Sequence, residues 1–72
     1  MPRDYKKDAE LLDFVSGYTQ KHGYPPTVHE VAVALGNSDS PVYWRIHGLQ
    51  REGRVDWQAG KVRTLRVLKG AE

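Results

Sequence analysis

Cysteine is absent from this 72-residue chain. No disulfide can staple it and no thiolate can hold a metal, and the absence fits a reducing cytoplasm. No apolar run approaches the ~20 residues that a membrane span needs. Met1-Pro2-Arg3-Asp4 does not open a secretory leader, so neither export nor a membrane partner is expected. His22, His29 and His47 lack ligand spacing and fall on three different elements, which leaves no expected metal site or cofactor. Strings of the GxxxxGK[ST], GxSxG and HExxH types are missing. A chain of this length builds a single domain, 1–72, whose modest core is worth ~3–5 kcal/mol, without a cleft for catalysis. An enzyme with a small-molecule substrate is the poorest reading. Net charge is only +2, but it is uneven. Residues 1–40 hold four Lys/Arg against six Asp/Glu, whereas residues 41–72 hold seven against three.

What is present is helical periodicity with good punctuation. Leu11, Leu12, Val15, Tyr18 and Thr19 form a stripe at helical spacing, with Ala9 and Phe14 at its margins, so a helix is expected over about 4–22. Asp4 and Asp8 offset Lys6 and Lys7 in its first turn. Gly23 closes it, and Tyr24-Pro25-Pro26 is a stiff extended connector. Thr27 with Glu30 is a capping box. Val28, Val31, Ala32 and Leu35 then predict a second helix over 28–35, ended by Gly36-Asn37. Ser40-Pro41 reads as N-cap and first residue of a third helix over 41–52, closed by Gly53. Two short helices joined by a tight turn make the helix-turn-helix arrangement that reads DNA.

The third helix has two unlike faces. At 100° per residue, Val42, Ile46 and Leu49 lie within about 60° of one another and predict a core-facing stripe. The opposite side collects Ser40, Trp44, His47, Gly48 and Arg51, with Tyr43 on its flank. A purely solvated face is normally filled with Lys, Glu and Gln. Gly48 costs roughly 1 kcal/mol against Ala inside a helix, which suggests close approach by something external. Either this face enters a major groove, with Arg51 placed for phosphate or guanine, or Tyr43 and Trp44 pack on the rest of the small domain. After Gly53 the period changes to two. Arg54 to Trp57 and Val62 to Leu68 predict a two-stranded hairpin, with Leu65 and Val67 facing the helices and Arg66 facing out. Lys61 and Arg63 near its tip are either a phosphate-contacting wing or plain solubility. The expected fold is therefore mainly α with a small β-hairpin over about 54–68, a three-helix winged helix-turn-helix.

Gly23-Tyr24-Pro25-Pro26-Thr27-Val28-His29-Glu30-Val31-Ala32 resembles the GYPPSVREIA-like segment of the N-terminal DNA-binding domain of the LexA family. The likeness continues through Leu35-Gly36, Ser40-Pro41-Val42, Ile46, Leu49 and Gln50 to Val55. The resemblance implies operator binding and repression. By position, Ser40, Tyr43, Trp44 and His47 would face bases, with Ser38 or Asp39 at the rim. Thr27, His29, Lys61 and Arg63 would face phosphate. Three departures stand out. The loop Asn37 to Ser40 is slightly short. Tyr43-Trp44-Arg45 replaces the usual small or acidic residues, so the family's SOS operator does not carry over. Nothing corresponds to the family's C-terminal self-cleaving, dimerising domain, so either a stand-alone regulator or a fragment is expected, without autoproteolytic induction. The expected partner is double-stranded DNA, with a second copy of the chain beside the first on it. A protein-docking module and an accessory DNA-binding role without transcriptional control are the competing readings.

Overall fold

The computed structural model describes residues 5–68. Arg3 and Asp4, expected at the helix start, lie outside them. In chain order come α1 (Tyr5–His22), α2 (Val28–Leu35), α3 (Asp39–Arg51), β1 (Val55–Asp56) and β2 (Arg66–Val67). No helix among the described residues is long and apolar enough to cross a membrane.

Local chemistry accounts for each boundary. The Thr27 side chain accepts the Glu30 backbone N–H at 3.1 Å, and the Glu30 carboxylate accepts the Thr27 N–H at 2.8 Å, completing the capping box. At the other end of α2, Gly36 adopts φ 71°, and the Asn37 N–H reaches back to the Ala32 carbonyl at 2.9 Å. That left-handed cap satisfies carbonyls which the helix leaves open. Gly53, at φ 76°, does the same for α3, with the Arg54 N–H on the Leu49 carbonyl at 2.9 Å.

The start of α3 differs from the expectation. Ser38, not Ser40, is the extended N-cap, and the helix begins at Asp39. Pro41 therefore occupies the third helical position rather than the first. The first four helical N–H groups have no intrahelical acceptor, so a proline there forfeits no bond. Asp39 gains the first position, where a carboxylate suits the helix dipole.

Helix α1 packs on α2, α2 on α3, and the hairpin closes the remaining side against α1 and α3. Their shared core is Leu11, Leu12, Val15, Val31, Ala32, Val42, Ile46, Leu49, Val55, Trp57 and Leu65. Phe14 and Val67 pack against it half-buried, while Ala9, placed at the margin of the α1 stripe, is exposed. One polar residue joins this interior. Asp8 is 1% exposed and accepts a 3.0 Å hydrogen bond from the Arg45 guanidinium of α3. Asp8 lies in the first turn of α1 as expected and takes this pairing in addition, because it sits one turn before Leu11 and Leu12 on the buried stripe.

The hairpin is shorter than alternation predicts. Val55 pairs with Val67 and Asp56 with Arg66, antiparallel, and the Leu68 N–H adds a 3.0 Å bond to the Arg54 carbonyl. Residues 62–65 do not extend the strand. The Thr64 hydroxyl accepts the Gln58 N–H at 2.9 Å and lies 3.2 Å from the Gln58 and Lys61 carbonyls. With Arg63 at φ 57°, this closes a compact loop. Leu65 is buried and Arg66 exposed, as the alternation requires.

Removing the Asp8 carboxylate takes from the Arg45 guanidinium its hydrogen bond to the buried side of α1. Arg45 is 20% exposed and keeps some water, so the cost falls below that of a fully buried pair. Asp8→Ala is expected to lower the unfolding free energy by about 2–3 kcal/mol in urea denaturation, and Asp8→Asn by less, since its amide oxygen still accepts. A loss under about 0.5 kcal/mol for the alanine variant would show that the pair holds nothing together.

Candidate nucleic-acid interface

Helix α3 is rotated so that Val42, Ile46 and Leu49 are fully buried. That rotation turns Ser40, Trp44, His47 and Arg51 to the other side, at spacings of four, three and four, which is one stripe along the helix. Ser40 and Arg51 are exposed and Trp44 is 68% exposed, an unusual state for an indole. The alternative in which Trp44 packs into the domain is therefore not what the structure shows. Tyr43 and His47 are half-buried along one edge of the stripe. A Cβ at Gly48 would meet nothing within 4 Å, so no neighbour within the protein demands glycine there.

The edge of the stripe is built of rings. Tyr43 and His47 stand 4.7 Å apart between centroids, and both meet Trp57 edge-on, at 5.1 Å and 5.0 Å. Trp44 continues the contact outward, 5.5 Å from His47 and 5.4 Å from Tyr43. Trp57, from the residue after β1, is 6% exposed. It is thus core, not a free interface anchor.

The expected phosphate contacts fall into different situations. Ser38, expected at the rim of the base-facing set rather than on phosphate, is exposed at the start of α3. The Thr27 hydroxyl oxygen serves the cap, which leaves its proton free to donate. His29 is exposed at the start of α2, with Nδ1 2.9 Å from an Asp39 carboxylate oxygen. That contact ties the first turns of the two helices together. Lys61 is exposed on the loop of the hairpin. A groove of about 410 Å³ runs between the start of α2, Tyr43, Trp57 and this loop.

Arg63 is turned inward. Its guanidinium donates to the Glu30 carboxylate at 3.1 Å, to the Pro25 carbonyl at 3.1 Å and to the Tyr18 hydroxyl at 3.3 Å, and it lies 4.7 Å above the Tyr24 ring. Tyr18 in turn donates to Glu30 at 3.2 Å. Arg63, expected to face phosphate, thus straps the hairpin to the α1–α2 connector while remaining partly exposed, and it was this strap that sequence reasoning did not foresee. Trp57 as a support of the Tyr43–His47 edge of α3 and Asp8 as the partner of Arg45 were missed as well. For Asp8 a signal existed, because a carboxylate continues an otherwise apolar stripe. For the Trp57 ring and the Arg63 guanidinium, whose partners lie at least ten residues away, no local signal exists.

Two helices joined by a short turn, with a short antiparallel hairpin packed beside the second, define a winged helix-turn-helix domain. The sequence model of the LexA DNA binding domain matches residues 5–64. The chain is 37% identical over 65 residues to a LexA repressor of Desulfatibacillum aliphaticivorans, covering 89% of this chain and 32% of that protein. It is 42% identical over 60 residues to a LexA repressor of Oleidesulfovibrio alaskensis, covering 83% and 29%. With the transcription regulator LexA of Synechocystis it shares 35% over 64 residues, covering 88% and 32%. This chain belongs to the LexA DNA-binding domain family. It spans about a third of the length of the curated relatives it matches.

The strap carries a pH dependence. Glu30 is held below the usual carboxylate range, chiefly by the Thr27 backbone N–H and further by Arg63 and Tyr18, against a partial desolvation that pushes the other way. A depressed folded-state pKa means that the unfolded chain binds the proton more readily. The contribution of Glu30 is therefore complete above the ordinary glutamate value of about 4.3 and is lost as pH falls through the lower folded value. Glu30→Gln keeps an acceptor for the Thr27 N–H but removes the charge. Wild type is expected to exceed this variant in melting temperature at pH 7, with the gap closing towards pH 3. A gap that does not change with pH would mean that the charge of the carboxylate contributes nothing to stability.

Proposed function

We propose that this domain binds double-stranded DNA sequence-specifically and acts as a transcriptional repressor, with the outer stripe of α3 in the major groove. The observation that carries this reading is the exposed Trp44 at the centre of that stripe, in a chain whose relatives are LexA repressors. A helix about 10–12 Å across fits a major groove about 12 Å wide, and Ser40 and Arg51, eleven residues apart, spread the stripe over a rise of roughly 16 Å along it. Ser40, Tyr43 and His47 supply donors and acceptors for base edges, and the Trp44 ring can cover a thymine methyl. Thr27 and His29 at the start of α2, Ser38 at the rim, Arg51 and Lys61 attend to the backbone. Two copies on half-sites one or more helical turns apart would give useful selectivity, since one module reads few base pairs. Such a regulator works where the bacterial chromosome is, in the cytoplasm.

Trp44→Ala tests the division of faces. It should cost ~1–3 kcal/mol on the preferred site and little on random DNA. Its melting temperature should scarcely move, since truncating an exposed side chain changes stability by about 0.5 kcal/mol or less. Unchanged selectivity together with a large drop in melting would show that the ring serves the fold.

Lys61→Ala should weaken binding about equally on all sequences and flatten the logarithmic salt slope by roughly one unit. A slope near zero in the wild type would favour a protein-docking role for the aromatic face, and titrations between 50 and 200 mM salt decide this.

A further inference from the structure

We propose that Trp57 is a positioning residue for base reading: its buried indole, edge-on to both Tyr43 and His47, holds these two rings of α3 in one geometry. The inference rests on the DNA-reading role of α3 proposed above and adds to it a residue on the hairpin that touches no base. At 6% exposure the Trp57 side chain is too enclosed to be inserted into a groove of DNA. What it touches on its outer side is the edge of the reading stripe, at 5.1 Å and 87° to Tyr43 and 5.0 Å and 86° to His47.

The two rings are one helical turn apart and 4.7 Å from each other, so Trp57 closes a three-ring cluster in which neither can change rotamer alone. His47 then bears on Trp44 at 5.5 Å, which passes the constraint to the most exposed ring of the face. The cluster is anchored from behind. The Gln50 side-chain amide of α3 donates to the Trp57 carbonyl at 2.7 Å, fixing the start of the hairpin loop against the helix. Rings ordered before binding lose no rotamer freedom on the DNA, and side chains held by a packed support discriminate better than loose ones. An aliphatic side chain at position 57 would fill the core but could not make T-shaped ring contacts with two aromatic neighbours.

The experiment uses the 72-residue chain, a duplex selected by the wild type from a random-sequence pool, and a scrambled duplex of the same composition. Affinities are measured well below each protein's melting temperature. Trp57→Leu is expected to reduce the ratio of selected to scrambled affinity roughly tenfold while leaving scrambled binding in place, and Trp57→Phe to recover most of the ratio. In the free protein, Hα–Hβ couplings and ring-current shifts of Tyr43 and His47 should report single rotamers in the wild type and in Trp57→Phe, but averaging in Trp57→Leu. A leucine variant that keeps the ratio, or that loses both duplexes in proportion to its unfolded fraction, overturns the proposal. So do unaveraged couplings in that variant. A wild type without preference for any duplex would overturn the DNA-reading role instead, and the couplings would still decide whether Trp57 fixes the rings.

Discussion

The rotation of α3 about its own axis is the quantity on which the other features depend. Three fully buried side chains set it, Val42, Ile46 and Leu49, all within a narrow arc. A turn of one residue towards the hairpin side would carry Tyr43 and His47 inward and Leu49 out. Two flanking contacts resist such slippage from opposite sides. Arg45 is tied to the buried Asp8 of α1, and Tyr43 abuts Trp57 of the hairpin. An apolar stripe tolerates some rolling because burial is non-directional, whereas a hydrogen-bonded guanidinium and an edge-on ring fix the angle. The polar pair thereby specifies orientation as well as contributing to stability.

The hairpin makes sense as a clamp on this arrangement. Its strands are two residues each, too short to stand alone. It is held at one end by Val55, Trp57 and Leu65 in the core. At the other, Arg63 reaches Glu30, Tyr18 and the Pro25 carbonyl. Glu30 is the shared element, serving the cap of α2 with one interaction and the hairpin with another. The start of the first helix of the pair and the position of the wing are therefore not independent.

Much of this was legible in the chain itself. The capping box, the glycine ends and the two buried stripes of α2 and α3 are patterns within a few residues, governed by local geometry, and the structure holds them where the pattern put them. The outward face of α3 followed from the same periodicity. What escaped were pairings across the fold. Asp8 with Arg45, Arg63 with Glu30 and Trp57 with Tyr43 and His47 join residues 37, 33, 14 and 10 positions apart. The start of α3 was misplaced by two residues because proline is acceptable anywhere in a first turn, so Ser38 and Ser40 were equally good caps. The wing strand was overextended for a related reason: alternation cannot see that Thr64 closes the loop on Gln58.

The inward turn of Arg63 changes what the ionic strength of a solution does to this protein. The Arg63–Glu30 pair is more than a third exposed on both sides, so it is screened within the same range of salt that displaces a polyanion. In the DNA complex proposed above, added salt would act twice, on the counterions around the duplex and on the tether that joins the hairpin to the start of α2. The apparent number of ions exchanged on binding will then include a conformational contribution, and it will exceed the number of phosphates the protein touches. Only with the tether replaced by an uncharged contact does that slope become a count.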